Sequence, residues 1–341
     1  MSAFDPSAPA PPDSGLFGLE STPEESGVQV LGVPFDATTS YRKGAAGGPA
    51  AILRASHQVD LYDLVTGKPY EVGLWMPPED PRVRRWNADA TVSADKVIAR
   101  GGGHPGDPHV ERVNEIQEEL NLWVRQRTEE ALDAGELAAL VGGDHSTPLG
   151  AIEAHAERYP GMGILHIDAH ADLRVAYEGF TYSHASILHN VLERTDTGSI
   201  VQIGLRDLCE EEHRVIQDTP RLHALFDHEW AEARADGKSS QDVVRRALGP
   251  LPDDVYITFD VDGLDPSLCP NTGTPVPGGL SWHDAMLVLR ELVSSGRRIV
   301  GFDLNEVAPA SQEPDAPDSW DAIVGARLLY RLIGFALRSR G

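Results

Sequence analysis

From Leu137 onward, short apolar runs alternate with longer segments of helical period, and this alternation constrains the fold more than any other feature of the chain. Strands are expected at 137–141, 163–167, 199–204, 223–226, 255–259 and 298–303. Helices are expected at 147–158, 184–194, 209–217, 239–248, 281–295 and 319–338. Strand and helix in strict succession give an α/β fold, a mostly parallel sheet with helices on both faces. Upstream, residues 28–33 read as a strand leading through a Gly-rich loop, Pro34 to Pro49, into a helix from Ala50. Val110, Val113, Ile116, Leu120, Val124 and Leu132 give 108–134 the period of an amphipathic helix. Residues 1–26, rich in Pro, Ser, Asp and Glu, are expected to form a flexible or draped N-terminal arm, and 27–341 a single domain. The Pro-, Gly- and charge-rich stretch 66–109 fits no element and is expected as an insertion near the site entrance.

In sheets of this kind ligands bind beyond the carboxyl ends of the strands. The run Gly163-Ile164-Leu165-His166-Ile167 passes directly into Asp168, His170 and Asp172. In an extended chain these alternate positions share one face. Asp260 and Asp262 follow the strand 255–259, and His145 follows the strand 137–141. Any one of them alone reads as a cap or turn residue. Together they would repel one another unless a cation lay between them.

Six such groups exceed what one ion usually takes while leaving a position for water, so two ions sharing carboxylates fit better. The oxygen-rich set suits Mn²⁺ more than Zn²⁺, with Ni²⁺ or Fe²⁺ still open. Two ions roughly 3.5–4 Å apart activate water at neutral pH, which points to hydrolysis. His184, in Thr181-Tyr182-Ser183-His184-Ala185-Ser186, is the candidate proton shuttle. Glu306, after the strand 298–303, either pairs a planar cationic substrate group or makes a loop salt contact.

The net charge of −24 and pI near 4.8 argue against nucleic-acid and anionic-membrane partners and are compatible with a cationic substrate. Two cysteines, Cys209 and Cys269, do not make a disulfide scaffold, and no early segment reads as a signal peptide, so the expected location is the cytoplasm. No apolar run reaches the length of a bilayer span.

The segments Gly142-Gly143-Asp144-His145-Ser146, Asp168-Ala169-His170-Ala171-Asp172, Ser183-His184-Ala185-Ser186, Asp260-Val261-Asp262-Gly263-Leu264-Asp265-Pro266 and Glu306 occur in one order along the chain. In that order the sequence, from about Val28 to Leu337, resembles the ureohydrolase family of arginases, agmatinases and their relatives. The resemblance implies an arginase-like three-layer α/β/α sandwich assembled as a homo-oligomer, trimer or hexamer. It further implies two Mn²⁺ ions bridged by Asp168 and Asp260. His145 and Asp172 would complete one site, His170 and Asp262 the other, with His184 as shuttle and Glu306 holding the guanidinium.

Two departures bear on the substrate. Arginases carry a second Asp after the stretch matching Ile203–Asp207, where this chain has Cys209, and an Asn and a Ser/Thr-rich loop after Asp172, where it has Leu173-Arg174-Val175. The implied activity is hydrolysis of agmatine, or of another guanidino compound without an amino-acid head, to urea and an amine. Alternatives are guanidine, guanidinobutyrate or formimidoylglutamate hydrolysis, with Arg174 receiving a carboxylate in the last two. A catalytically silent regulator on the same scaffold is a further alternative, against which the intact set of groups argues.

Overall fold

Strands β1 (Val28–Val33), β2 (Leu74–Trp75), β3 (Leu137–Gly142), β4 (Gly163–Ile167), β5 (Ile200–Ile203), β6 (Leu222–Leu225), β7 (Asp254–Asp260) and β8 (Arg298–Asn305) form one sheet in the computed structural model, which describes residues 5–11, 13–311 and 319–341. Every neighbouring pair is parallel, in the order β2-β1-β3-β8-β7-β4-β5-β6. A parallel pair cannot be joined by a tight turn, so each connection crosses a face of the sheet, and the faces are thereby covered. On one face lie α1 (Gly48–Ser56), α7 (Asp227–Ala235), α8 (Ser240–Leu248), α9 (Trp282–Ser294) and α10 (Trp320–Arg338). The other carries α2 (Pro81–Ile98), α3 (Pro108–Asp133), α4 (Leu149–Arg158), α5 (Ile187–Arg194) and α6 (Glu210–Asp218). The result is the three-layer α/β/α sandwich.

Alternation along the strands feeds both layers. Leu165, Ile167, Val255, Ile257 and Phe259 pack with α8, α9 and α10, whereas Ile164, Ile200 and Tyr256 pack with α4 and α5. The strand order sets β3, β8, β7 and β4 side by side, so the chain segments leaving these four strands emerge on one continuous patch.

The expected strands and helices from 108 onward are present within a few residues. The stretch 66–109 is not unstructured: it contains β2 and α2. Its helix was obscured because the buried face of α2 is made of small residues and one valine pair, Val83, Ala90, Ser93, Ala94 and Val97, between charged neighbours. Helix α7 was missed because only Trp230 and Ala233 are buried along it.

Of the N-terminal arm, residues 1–4 and 12 lie outside the described residues. Leu16, Phe17 and Leu19 are buried, the Phe17 amide donates to Ser56 Oγ, and its ring lies 4.7 Å from that of Tyr330. This part of the arm is therefore draped on α1 and α10 and is not free. No helix among the described residues is long and apolar enough to cross a membrane.

Candidate metal centre

All six metal-binding candidates converge where β3, β4 and β7 end. The reason differs from simple strand alternation. Strand β4 stops at Ile167, and Asp172 has φ 54°, in the left-handed region a non-glycine residue rarely occupies. Asp172 is aimed by its own carbonyl, which accepts the amides of Leu188 and His189 at the start of α5. Strict alternation holds one step earlier, for His166 and Asp168. His166 was overlooked, although its position two residues before Asp168 on an apolar strand was the available signal.

The groups form two clusters around two imidazole nitrogens. His145 Nδ1 lies 3.0 Å from Asp168 Oδ2, 3.2 Å from Asp172 Oδ2 and 3.4 Å from Asp260 Oδ2. His170 Nδ1 lies 3.0 Å from Asp262 Oδ2 and 3.4 Å from Asp168 Oδ1. Asp168 belongs to both clusters, one oxygen to each. Backbone bonds fix the carboxylates: Ala169 donates to Asp262, His170 to Asp168, and Asp262 to Asp260. Thr274 Oγ1 adds a bond to Asp262 Oδ2 at 3.2 Å.

Burial makes this arrangement strained without a cation. Burial disfavours the charged imidazolium of His145, but Asp168, Asp172 and Asp260 outweigh it and hold its pKa well above the usual value. His170 is opposed by burial and pushed up to about 12 by Asp262 and Asp168. Burial, then the charge of Asp168, raises Asp172 to about 7, and burial with Asp262 and Asp168 raises Asp260 well above a normal carboxylate. A set of buried acids that holds protons for want of positive charge is the donor set a divalent cation fits.

His184 sits at the first residue of a short 3-10 turn ahead of α5, capped by Ser183. Burial, then the neighbouring His170 and His145, lowers its pKa to about 4, and it is hydrogen-bonded to the backbone of Thr38. The Tyr177 ring stands edge-on to it at 6.1 Å. The loop that carries Thr38 is pinned by Asp36, which accepts the amides of Gly44 and Ala46, and by Asp144, which accepts Thr38 Oγ1.

Glu306 leaves β8 with φ 64°. Its Oε1 accepts the His145 amide at 3.0 Å, while Oε2 is buried without a partner among the described residues. Burial, then Asp260 and Asp144, raises its pKa well above normal. Beside Oε2, position 273 is glycine, where a Cβ would lie 3.3 Å from that Glu306 oxygen.

Arg174 and Cys209 are brought together elsewhere, in a cleft of about 450 Å³ whose lining contains none of the six metal-binding candidates. Cys209 precedes α6, with its amide bonded to Glu212. The Arg174 guanidinium lies over the Tyr177 ring at 4.9 Å and 3.7 Å from Glu212, and the same ring stands edge-on to His184.

Against known proteins, residues 26–334 match the arginase family. The chain is 34% identical over 321 residues to an N(1)-aminopropylagmatine ureohydrolase of Thermus thermophilus, covering 94% of each chain. It is 32% identical to an agmatinase of Proteus mirabilis, covering 88% of this chain and 86% of that one. The fold is shared with a hypothetical agmatinase from Burkholderia thailandensis at a TM-score of 0.71 and 24% identity, covering 96% of this chain and 90% of that one. With a match over nearly its whole length and the motifs gathered at the strand ends, the chain belongs to the arginase family of ureohydrolases, hydrolases of amidino C–N bonds.

Proposed function

We propose that the protein hydrolyses a guanidino compound with a cationic tail, agmatine or an N-aminopropyl extension of it, to urea and an amine, using two Mn²⁺ ions per chain. The observation that carries this reading is Asp168, whose two oxygens serve the His145 and His170 clusters separately. His145, Asp168, Asp172 and Asp260 would hold one ion, and Asp168, His170, Asp262 and Asp260 the other. Bound divalent ions supply Lewis-acid activation of water at neutral pH.

The chain's own residues do the rest. Glu306 offers its free buried oxygen to the guanidinium, a charge-assisted bond that orients the planar group over the carboxylates. His184, neutral at physiological pH, accepts a proton and passes it to the leaving amine. The negative field of the whole molecule favours arrival of a cation. A homo-oligomer, trimer or hexamer, in the cytoplasm belongs to the same proposal, supported by the family resemblance.

Urea release measured with agmatine, aminopropylagmatine, guanidinobutyrate, guanidine and L-arginine, each with Mn²⁺ and with Ni²⁺, tests the reading. Agmatine or its extension should exceed arginine in kcat/KM by at least about tenfold. After the stretch matching Ile203–Asp207 arginases carry an Asp where this chain has Cys209, so the α-ammonium of arginine lacks that partner, and an unpaired polar group costs about 1–3 kcal/mol. Preference for guanidinobutyrate would move the assignment to a carboxylate tail, and preference for arginine would refute it.

His184→Ala should lower kcat by at least about 10²-fold, the scale of a general acid–base group. Metal content, measured on the same sample, should stay at the wild-type value. A drop smaller than tenfold would take His184 out of the mechanism.

A further inference from the structure

The sheet face turned towards α4 and α5 is apolar at one level, with Ile164, Ile200 and Tyr256, and polar at the next. There Gln202, His166, Thr258 and Asp303 stand in register across β5, β4, β7 and β8. All four are fully buried. One level further lie Asp168 and Asp260. A parallel sheet covered on both sides normally carries apolar residues in such a row, and polar ones are tolerated only when bonded.

The bonds have a direction. His145 Nε2 lies 2.8 Å from Thr258 Oγ1, which lies 2.7 Å from Asp303 Oδ1. A hydroxyl has one proton, and Thr258 donates it to the carboxylate, so it accepts from Nε2–H of His145. In a neutral imidazole, Nδ1 then keeps its lone pair, and Nδ1 is the atom that faces Asp168, Asp172 and Asp260. Asp303 is itself held by Asn305 Nδ2 and the Phe259 amide.

On the other side of β7, Gln202 Nε2 donates to the Ala171 carbonyl at 2.9 Å and to His166 Nδ1 at 3.0 Å. Only an amide nitrogen can make the first bond, which settles the second. His166 therefore carries its proton on Nε2 and donates it to Asp168 Oδ2 at 2.9 Å. Although it touches Asp168, His166 has no lone pair to offer an ion.

We propose that the row Gln202–His166–Thr258–Asp303 is a set of positioning residues that presents His145 through Nδ1 and steadies the shared carboxylate of Asp168, thereby setting metal affinity. The proposal rests on the metal-dependent reading above. Partners of this kind typically contribute about 10–100-fold in affinity.

The test is titration of chelator-treated, full-length protein with Mn²⁺ alone, following free Mn²⁺ by its paramagnetic resonance signal, with melting curves of the metal-free forms alongside. Thr258→Val, which keeps the shape and removes the hydroxyl, should weaken binding of at least one ion by about 10–100-fold. Thr258→Ser, which keeps the hydroxyl, should restore most of that affinity. Gln202→Met, which frees His166 to change its proton, should weaken binding in the same direction and stands alone if the valine variant does not fold. Wild type that binds two ions, with both Thr258→Val and Gln202→Met binding as tightly, overturns this inference only. Serine as weak as valine, with equal losses in metal-free melting temperature, overturns it too by making the role purely structural. Wild type that binds no Mn²⁺ overturns the metal-dependent reading and this inference together.

Discussion

Asp168→Asn is expected to lower urea release by at least about 10³-fold, the scale of losing several kcal/mol of metal-assisted stabilisation. The purified variant should hold less than one divalent ion per chain. Its carboxylate is fully buried and meets His145 and His166 through Oδ2 and His170 through Oδ1. Burial alone would raise its pKa, yet those three imidazoles hold it well below the usual range, so it stays ionised in the metal-free protein. Asparagine keeps the shape but removes the charge and turns one acceptor into a donor. If that donor faces His166 Nε2–H, two hydrogens oppose each other; if it is flipped, the His170 contact is lost instead. Either orientation damages one of the two clusters. Metal analysis of the purified variant, beside its circular dichroism spectrum, checks this, and two ions retained by a folded variant would show that Asp168 is not shared.

How much of this was legible beforehand depended on what each element needed from its surroundings. Strands β3, β4, β5, β7 and β8 bury both faces, and largely apolar runs betray them at once. The acids at the strand ends stood out for the opposite reason, since each breaks an apolar run where a turn alone would not need charge. Their convergence was foreseen, but for Asp172 by the wrong route, because a left-handed backbone and the start of α5 place it, not extended geometry.

What escaped notice was polarity inside the strands. His166, Thr258 and Gln202 are single polar residues in apolar runs, and only pairing register reveals that they lie in one row with Asp303. Register between β4, β7 and β8 depends on a parallel order that no local pattern encodes. Arg174 and Cys209 were singled out by what arginases carry at the matching places, and their meeting in one cleft is likewise a matter of how the segments after β4 and β5 pack.

Glu306→Gln should lower kcat/KM for agmatine by about 10³-fold, within the 2–5 kcal/mol typical of truncating one partner of a buried charge pair. It should do so without loss of stability. Glutamine keeps an oxygen for the His145 amide, which Oε1 accepts at 3.0 Å. The difference lies at Oε2, which is buried without a partner among the described residues and beside Asp260 and Asp144, neighbours that add to burial in raising the carboxyl pKa. An acid raised in this way binds its proton more tightly folded than unfolded. Its penalty is therefore absent below the unfolded pKa of about 4.3, sets in as pH rises through it, and grows until the folded pKa is passed. At neutral pH the metal-free Glu306→Gln protein should melt at or above the wild-type temperature, and at pH near 4 the two should converge. A variant that is both inactive and less stable at pH 7 would mean that Glu306 serves the fold. A variant with wild-type kcat/KM would mean that the guanidinium is held elsewhere. Only opposite signs, activity down and stability level or up, fit a carboxylate kept uncompensated in the free enzyme so that an arriving cation can supply what it lacks.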